Sequence, residues 1–194
     1  MNVNVTKIDG PWDLGFVLDR QIIKSTFLGY DNNGNPQFDT ERTEVGEALF
    51  QLKYRSDLSF AESLANVLVT ELGSIFSSTD IVIPMPASKE RAVQPVFELA
   101  KKVASKMGKT YREDLLVKAS STPQMKDLKE VEEKRSSLKN ALKCNDVLSD
   151  ETFNVLIVDD IFSSGSSLEV ACEVLKKYKK VNQVFVAVLT RTKG

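Results

Sequence analysis

Histidine is absent from this sequence. Its absence excludes Ser-His-Asp and Cys-His nucleophilic sites, imidazole general bases and histidine-ligated zinc. Cysteine is almost as scarce: Cys144 and Cys172 are too few for a disulfide framework or a four-thiolate zinc site. Any chemistry must therefore use carboxylates, hydroxyls, Lys, Arg, backbone amides or a bound metal.

Long apolar runs and a charge imbalance are missing as well. No stretch reaches the roughly 20 apolar residues of a membrane-spanning helix, and the N-terminus lacks the basic and apolar regions of a secretory signal. The formal net charge of −1 provides no overall basic field for nucleic acid. We therefore expect a cytoplasmic protein that binds neither membranes nor, directly, nucleic acid.

The 194 residues suit one packed domain preceded by a smaller segment. Segments 16–23 and 25–30 alternate imperfectly between apolar and polar residues, and turn-forming residues follow at 31–36. Residues 1–40 are therefore predicted to form a β-rich cap or hood, and residues 41–194 the core domain. The aromatic residues Trp12, Phe16 and Phe27 are predicted to cover an apolar edge of that core.

From Thr40 onward, helical periodicity alternates with short apolar strands. Helices are predicted from about 40 to 54, at 59–76 with a capping box formed by Ser59 and Glu62, and at 95–107, 130–142 and 167–178. Strands are predicted at 80–85, 115–117, 153–158 and 184–189, with a polar loop at 119–128. Continuous apolar strands separated by helices predict an α/β fold whose parallel sheet is covered on both faces.

The segment that starts at Val155 carries the clearest chemistry. Four aliphatic residues are followed by Asp159 and Asp160, which we place at the carboxyl end of a buried strand, the edge where ligands bind in α/β sheets. A hydroxyl-rich loop comes next, just before a helix, and its members are Ser163, Ser164, Gly165, Ser166 and Ser167. Free amides at a helix N-terminus suit a phosphate, and paired carboxylates suit a sugar diol or a hydrated divalent cation.

Other interpretations of this segment can be compared with its position and spacing. A plain strand end with a solvated serine turn stays open. A response-regulator receiver has its acidic pair at the end of the first strand, with most of the domain still to follow, whereas here only 34 residues follow Asp160. Neither G-x-x-x-x-G-K-[S/T], G-x-G-x-x-G nor G-x-S-x-G occurs, so the P-loop, the dinucleotide fingerprint and the nucleophile elbow are excluded.

The same segment, VLIVDDIFSSGSS, resembles the binding segment for 5-phosphoribosyl-1-diphosphate (PRPP) in type I phosphoribosyltransferases. The resemblance implies a parallel sheet flanked by helices. It also implies that Asp159 and Asp160 are catalytic residues that hold the ribose hydroxyls, and that Ser163 to Ser167 bind the 5′-phosphate. Phe162 is bulkier than is usual there. The 6-oxopurine enzymes carry an acid where Ser163 stands, which argues against hypoxanthine or guanine as acceptor.

Three further segments resemble the ComF-like, competence-associated branch of that family. After the strand at Ile81, the resemblance implies a pyrophosphate loop that contains Ala87, Ser88, Lys89 and Arg91; the alternative for Lys89 and Arg91 is a solvated segment that leads into the next helix. The segment 121–142 resembles a mobile lid through Gln124 and Arg135, although Arg135 is equally an exposed charge of a polar helix. The element Leu52-Lys53-Tyr54 is interpreted as a buried helix end with a surface lysine. The zinc ribbon typical of the branch is absent, since no cysteine precedes Cys144.

Two functions follow as hypotheses. The first is an Mg²⁺-dependent transfer of phosphoribosyl from PRPP to a nitrogenous base, with release of pyrophosphate; Mg²⁺ would bind through PRPP and through Asp159 and Asp160. The second is a non-catalytic PRPP or nucleotide sensor, or a scaffold linked to DNA uptake. The expected partners are PRPP and a base or another small acceptor, and a homodimer is a family-level expectation.

Overall fold

A computed structural model describes residues 1–87, 93–119 and 141–192. The strands are β1 (Thr6–Lys7), β2 (Leu14–Arg20), β3 (Ile22–Tyr30), β4 (Pro36–Arg42), β5 (Ile81–Pro84), β6 (Thr110–Tyr111), β7 (Leu116–Lys118), β8 (Leu142–Cys144), β9 (Phe153–Phe162) and β10 (Val181–Arg191). The helices are α1 (Glu44–Tyr54), α2 (Ser59–Leu72), α3 (Pro95–Met107) and α4 (Ser166–Lys176). Within these residues, no helix combines the length and apolarity needed to cross a bilayer.

Six strands form the central sheet in the order β1-β2-β10-β9-β5-β6. All neighbouring pairs are parallel except β1 and β2. Side chains alternate across β9: Leu156 and Val158 pack on the face covered by α1, α2 and α3, whereas Val155 and Ile157 pack on the face covered by α4. The predicted α/β fold, a mostly parallel sheet flanked by helices, is confirmed.

The N-terminal segment divides between this sheet and a separate ribbon. Strand β2 pairs with β1 on one side and with β10 on the other, and its Val17 and Leu18 are fully buried, so it belongs to the main sheet. Strands β3 and β4 pair with each other as a two-stranded ribbon. The division at residue 40 stays a prediction, but the pairing shows that β1 and β2 join the sheet of the proposed core.

Two aromatic side chains of this segment lie where the sequence suggested, and a third does not. Trp12 is buried, and its Nε1 donates to the carbonyl of Ile8 at 2.9 Å. Phe16 packs edge-on against Phe76 in the core. The prediction for Phe27 is wrong, because this residue lies half-exposed on β3, where it contacts Phe38 of β4 rather than the core.

The first two helices begin differently from each other. Thr43 caps α1, since its Oγ1 accepts from the Gly46 N–H at 3.0 Å. Gly46 is required there, because a Cβ would lie 2.0 Å from the Gln21 carbonyl oxygen. The capping box predicted at Ser59 is wrong: its hydroxyl donates to Asp57 at 2.6 Å, and Glu62 instead forms ion pairs with Lys102 and Lys106 on α3.

The ends of several other helices and strands differ by a few residues from their predicted positions. Helix α2 ends at Leu72 rather than near 76, and Gly108 ends α3 in the left-handed conformation, as its position predicts. Strand β9 continues through Phe162, four residues beyond the predicted end at 158. Most of the predicted loop at 119–128 and of the predicted helix at 130–142 lies outside the described residues, but Leu142 begins strand β8 and is therefore not helical.

Candidate active site

A cavity of about 270 Å³ opens where β5 ends and β9 continues. Strand β5 pairs with β9 as far as Pro84 and Val158, and the Met85 N–H donates to the Val158 carbonyl at 2.9 Å. Beyond that point β9 runs on along β10 alone. The space beside it is lined by Lys53, Met85, Pro86, Ala87, Gln94, Pro95, Val96, Asp159, Asp160, Ile161, Phe162, Ser163, Ser164, Gly165, Ser166, Ser167 and Leu168.

The cavity brings together the acidic pair and the serine loop that the sequence singled out. Asp159 and Asp160 occupy β9, and Ser163 to Ser167 lead into the first turn of α4. Ala87 also lines the cavity, so the strand end after β5 faces the same space. Ser88, Lys89, Arg91, Gln124 and Arg135 lie outside the described residues.

The serine loop has the shape of an anion cradle. Gly165, at the N-cap of α4, has φ +80°, and a Cβ there would lie 3.0 Å from the Phe162 ring. Ser164 Oγ and Ser166 Oγ are 3.1 Å apart, and Thr192 Oγ1 donates to Ser163 Oγ at 3.2 Å. The loop therefore presents hydroxyls and the positive end of the α4 dipole to one side of the cavity.

The aromatic ring of Phe162 has a structural role at this site. It meets Trp12 edge-to-face, with ring centroids 6.4 Å apart and an interplanar angle of 85°. The same ring lies against Gly165. Phe162 thus connects the serine loop to the apolar side chains on the face of the sheet covered by α4, which accounts for a bulkier residue at this position.

The two carboxylates differ in their surroundings. Asp159 Oδ1 accepts a hydrogen bond from the Asp160 backbone N–H at 2.8 Å. Loss of solvent around Asp159, and then the neighbouring Asp160 carboxylate, raise the pKa of Asp159 above its usual range. Lys53 acts in the opposite direction and lowers the pKa of Asp159, because its positive charge favours the ionised carboxylate.

Lys53 is the site residue that sequence reasoning missed. Its Nζ lies 2.9 Å from Asp160 Oδ2, and the two side chains are 17% and 19% exposed, respectively. The interpretation of Lys53 as a surface lysine is therefore wrong. Its position in the last turn of α1 is readable from the sequence, but its contact with Asp160 depends on how α1 packs on the sheet.

Comparison with known proteins identifies the family. A family model described as the phosphoribosyl transferase domain matches residues 96–193, about half of the chain. The chain belongs to this phosphoribosyltransferase family. The family predicted from VLIVDDIFSSGSS is thereby confirmed, whereas its ComF-like branch stays a prediction. No curated protein matches the chain in sequence.

Solved structures agree with this family at the level of the fold. The adenine phosphoribosyl transferase of Trypanosoma brucei, in complex with AMP, pyrophosphate and ribose-5-phosphate, is 10% identical with a TM-score of 0.53, and the match covers 98% of this chain and 76% of that chain. A structure described as the allosteric regulatory enzyme of purine biosynthesis is 17% identical with a TM-score of 0.53, covering 81% of this chain and 34% of that chain.

The matched region of this phosphoribosyltransferase-family chain contains the acidic pair and the serine loop. Helix α1, which provides Lys53, lies before that region, as does the end of β5 with Ala87. The cavity is therefore built partly by residues outside the segment that identifies the family.

Proposed function

We propose that this chain transfers the phosphoribosyl group of PRPP to a nitrogenous acceptor and releases pyrophosphate. The observation that carries the proposal is the convergence of Asp159, Asp160 and the Ser163–Ser167 loop on one cavity. Family membership supports the reaction type. The acceptor base is not part of the proposal.

Each group of cavity residues has a role in this proposal. The hydroxyls and amides of the serine loop bind the 5′-phosphate. Asp159 and Asp160 accept hydrogen bonds from the two ribose hydroxyls and stabilise the positive charge that develops on the sugar as its bond to pyrophosphate breaks. Ala87 and the segment after it, with Ser88, Lys89 and Arg91, bind the departing pyrophosphate.

The donor set of the site fits Mg²⁺. Two adjacent carboxylates provide hard oxygen ligands, and Mg²⁺ is usually held by one or two carboxylates together with substrate phosphates. Among the described residues, no cluster of three or more His, Cys, Asp or Glu side chains forms a complete protein cage. When bound through Asp159, Asp160 and PRPP, Mg²⁺ would neutralise charge on the pyrophosphate.

The lid and hood roles belong to the proposal as well. Gln124 and Arg135 are proposed to close over the site, which would exclude water as a competing nucleophile. The segment 1–40 is proposed as the hood, with the β3–β4 ribbon as its projecting part. A homodimer and membership of the ComF-like branch stay predictions, and the proposed reaction depends on neither of them.

The test is a calorimetric titration of PRPP with and without Mg²⁺, followed by pyrophosphate release with a panel of bases. Wild-type protein is expected to bind PRPP and to release pyrophosphate with at least one base. The Asp160→Asn variant is expected to lose roughly 100-fold in turnover while it keeps its fold. Asp150→Asn, which changes an exposed acid that does not line the cavity, is the matched control and should behave as wild type.

The other outcomes separate the rival functions. Saturable PRPP binding without base-dependent pyrophosphate release would overturn the transferase and favour a sensor. No binding at millimolar PRPP by folded protein would overturn both, and would leave a scaffold to be examined by partner capture.

A further inference from the structure

A lysine of α1 reaches the acidic pair from outside the segment matched by the family model. Lys53 lines the cavity together with Asp159 and the serine loop, and its Nζ lies 2.9 Å from Asp160 Oδ2. Because both side chains are mostly shielded from solvent, this ion pair is screened less than one on the open surface. Lys53 is therefore part of the electrostatic environment of any ligand at this site.

We propose that Lys53 is a positioning residue that holds the Asp160 carboxylate for the sugar and supplies part of the positive charge that a divalent cation would otherwise supply. This inference rests on the proposed binding of a sugar phosphate at the acidic pair. Lys53 has no role in the reaction as proposed above. The inference gives it one, in which its charge and that of Mg²⁺ can partly replace each other.

The rigidity of α1 is the first argument. Leu49 and Leu52 on the same helix are almost completely buried in the core, so the backbone that carries Lys53 is fixed. Thr43 caps the start of the helix and also donates from its Oγ1 to the Arg20 carbonyl at 2.7 Å, which attaches α1 to β2. The ammonium group is thus placed by a packed helix rather than by a loop, as precise positioning requires.

The charge balance at the cavity is the second argument. Each ionised carboxylate of the pair adds a negative charge that repels a phosphate-bearing ligand, and the positive charge of Lys53 offsets one such charge. The ion pair also fixes the position of Asp160, and an ionised carboxylate accepts hydrogen bonds only, which suits sugar hydroxyls. Removing one partner of a shielded ion pair leaves the other charge uncompensated.

The same balance predicts opposite effects on two ligands. Without the lysine charge, the carboxylates attract Mg²⁺ more strongly, since a competing cation has been removed. In the absence of Mg²⁺, protein that lacks the lysine charge binds a sugar phosphate less well than wild type does, since its site is more negative. Added Mg²⁺ should then restore much of the lost binding. A role confined to packing would weaken sugar-phosphate binding equally with and without Mg²⁺.

The experiment uses the full chain and ribose 5-phosphate as the probe, measured by calorimetry in EDTA and in Mg²⁺. Lys53→Met keeps an apolar stem without the charge, and Lys53→Arg keeps the charge. In EDTA, Lys53→Met is expected to bind the probe roughly tenfold more weakly than wild type, and Mg²⁺ should narrow that gap. Lys53→Arg should bind within about threefold of wild type, because a guanidinium also pairs with a carboxylate.

Lys102→Met is the matched control. Lys102 pairs with Glu62 at 3.0 Å on the helical surface, and it does not line the cavity. This variant should bind both the probe and Mg²⁺ as wild type does. Far-UV circular dichroism and urea unfolding of every variant establish that the fold is retained; if Lys53→Met does not fold, Lys53→Gln is measured in its place.

A separate titration uses Mg²⁺ alone, so that failure of the inference about Lys53 can be distinguished from failure of the proposed function. If wild type binds neither ribose 5-phosphate nor PRPP, the proposed function fails, but Lys53→Met should still bind Mg²⁺ about tenfold more tightly than wild type. Equal Mg²⁺ affinities would overturn the inference. A loss of probe binding that is the same in EDTA and in Mg²⁺, without rescue by Lys53→Arg, would overturn it as well.

Discussion

Asp159 shows how strongly one residue depends on its surroundings. The side chain stands beside a second carboxylate, and its own solvation is reduced, so both causes favour the protonated form. The hydrogen bond from the Asp160 N–H and the charge of Lys53 act against them without cancelling them. A carboxylate with a raised pKa is a feature of functional sites more often than of ordinary surfaces.

The raised pKa of Asp159 predicts a pH-dependent cost to stability. In the unfolded chain this carboxyl ionises at its ordinary pKa, whereas the native protein retains the proton to higher pH. Between those two values the native state binds more protons, so the free energy of unfolding falls as pH rises. Asp159→Asn abolishes this dependence, while its amide oxygen can still accept from the Asp160 N–H.

The measurement is urea unfolding of wild type and Asp159→Asn from pH 5 to pH 8. The stability of the variant relative to wild type is expected to increase steadily across that range. Asp39→Asn, on the exposed ribbon, should keep a constant difference from wild type. A constant difference for Asp159→Asn would show that the native pKa is not raised.

At the scale of elements, the β3–β4 ribbon differs from the preceding strand β2 in how far its apolar side chains are buried. Its apolar side chains are largely exposed, and Leu28, Tyr30 and Phe38 are 66%, 72% and 54% accessible. An isolated two-stranded hairpin is marginally stable in water. The turn that joins the strands is well formed, because Asp31 Oδ1 accepts from the N–H groups of Asn33 and Asn35.

Deletion of the ribbon should therefore leave the core folded. Ile22 and Arg42 are paired Cα partners at its base, so an Asn-Gly turn can replace residues 23–41 without moving β2 or α1. The free energy of unfolding should fall by no more than about 1 kcal/mol, since little buried area is removed. Urea unfolding followed by circular dichroism measures this.

The matched deletion removes residues 1–20 instead. It should abolish cooperative unfolding, because it removes β2 from the sheet together with the buried Val17 and Leu18. If deletion of the ribbon had the larger effect, residues 23–41 would belong to the core and the assignment of the ribbon as a projecting element would be wrong.

At the scale of the whole molecule, one sheet supports two apolar clusters. Leu68 of α2 belongs to the cluster on the face covered by α1, α2 and α3, whereas Trp12 belongs to the cluster on the face of α4. Strands β9 and β10 contribute alternating side chains to both clusters. The two faces are therefore expected to unfold together as one cooperative unit.

Leu68→Ala tests this expectation. Truncation of a fully buried leucine should lower the free energy of unfolding by about 2–5 kcal/mol. Because Trp12 is the single tryptophan, its fluorescence reports on the opposite face, and its transition should shift together with that of circular dichroism. Leu28→Ala on the ribbon should change stability by less than about 0.5 kcal/mol. A shift in circular dichroism alone would mean that the faces unfold separately.

The sequence by itself determined the features that depend on neighbouring residues. The apolar period of α1 and α3, the glycine that ends α3, the turn at Asp31 and the order of strand, acidic pair, serine loop and helix are all local patterns. These patterns were enough to predict the α/β fold and the family. They placed the boundaries less well, as the extension of β9 through Phe162 shows.

Only the tertiary structure decided which distant segments meet. Whether β2 pairs with β10, whether Trp12 meets Phe162 and whether Lys53 reaches Asp160 depend on strand order and helix packing. The failed capping box has the same origin, since Glu62 forms ion pairs with two lysines of α3. Such contacts join residues far apart in the chain, and no periodicity or spacing within a segment encodes them. The acidic pair was readable from the sequence, whereas the cation that compensates it could be found only once α1 was packed on the sheet.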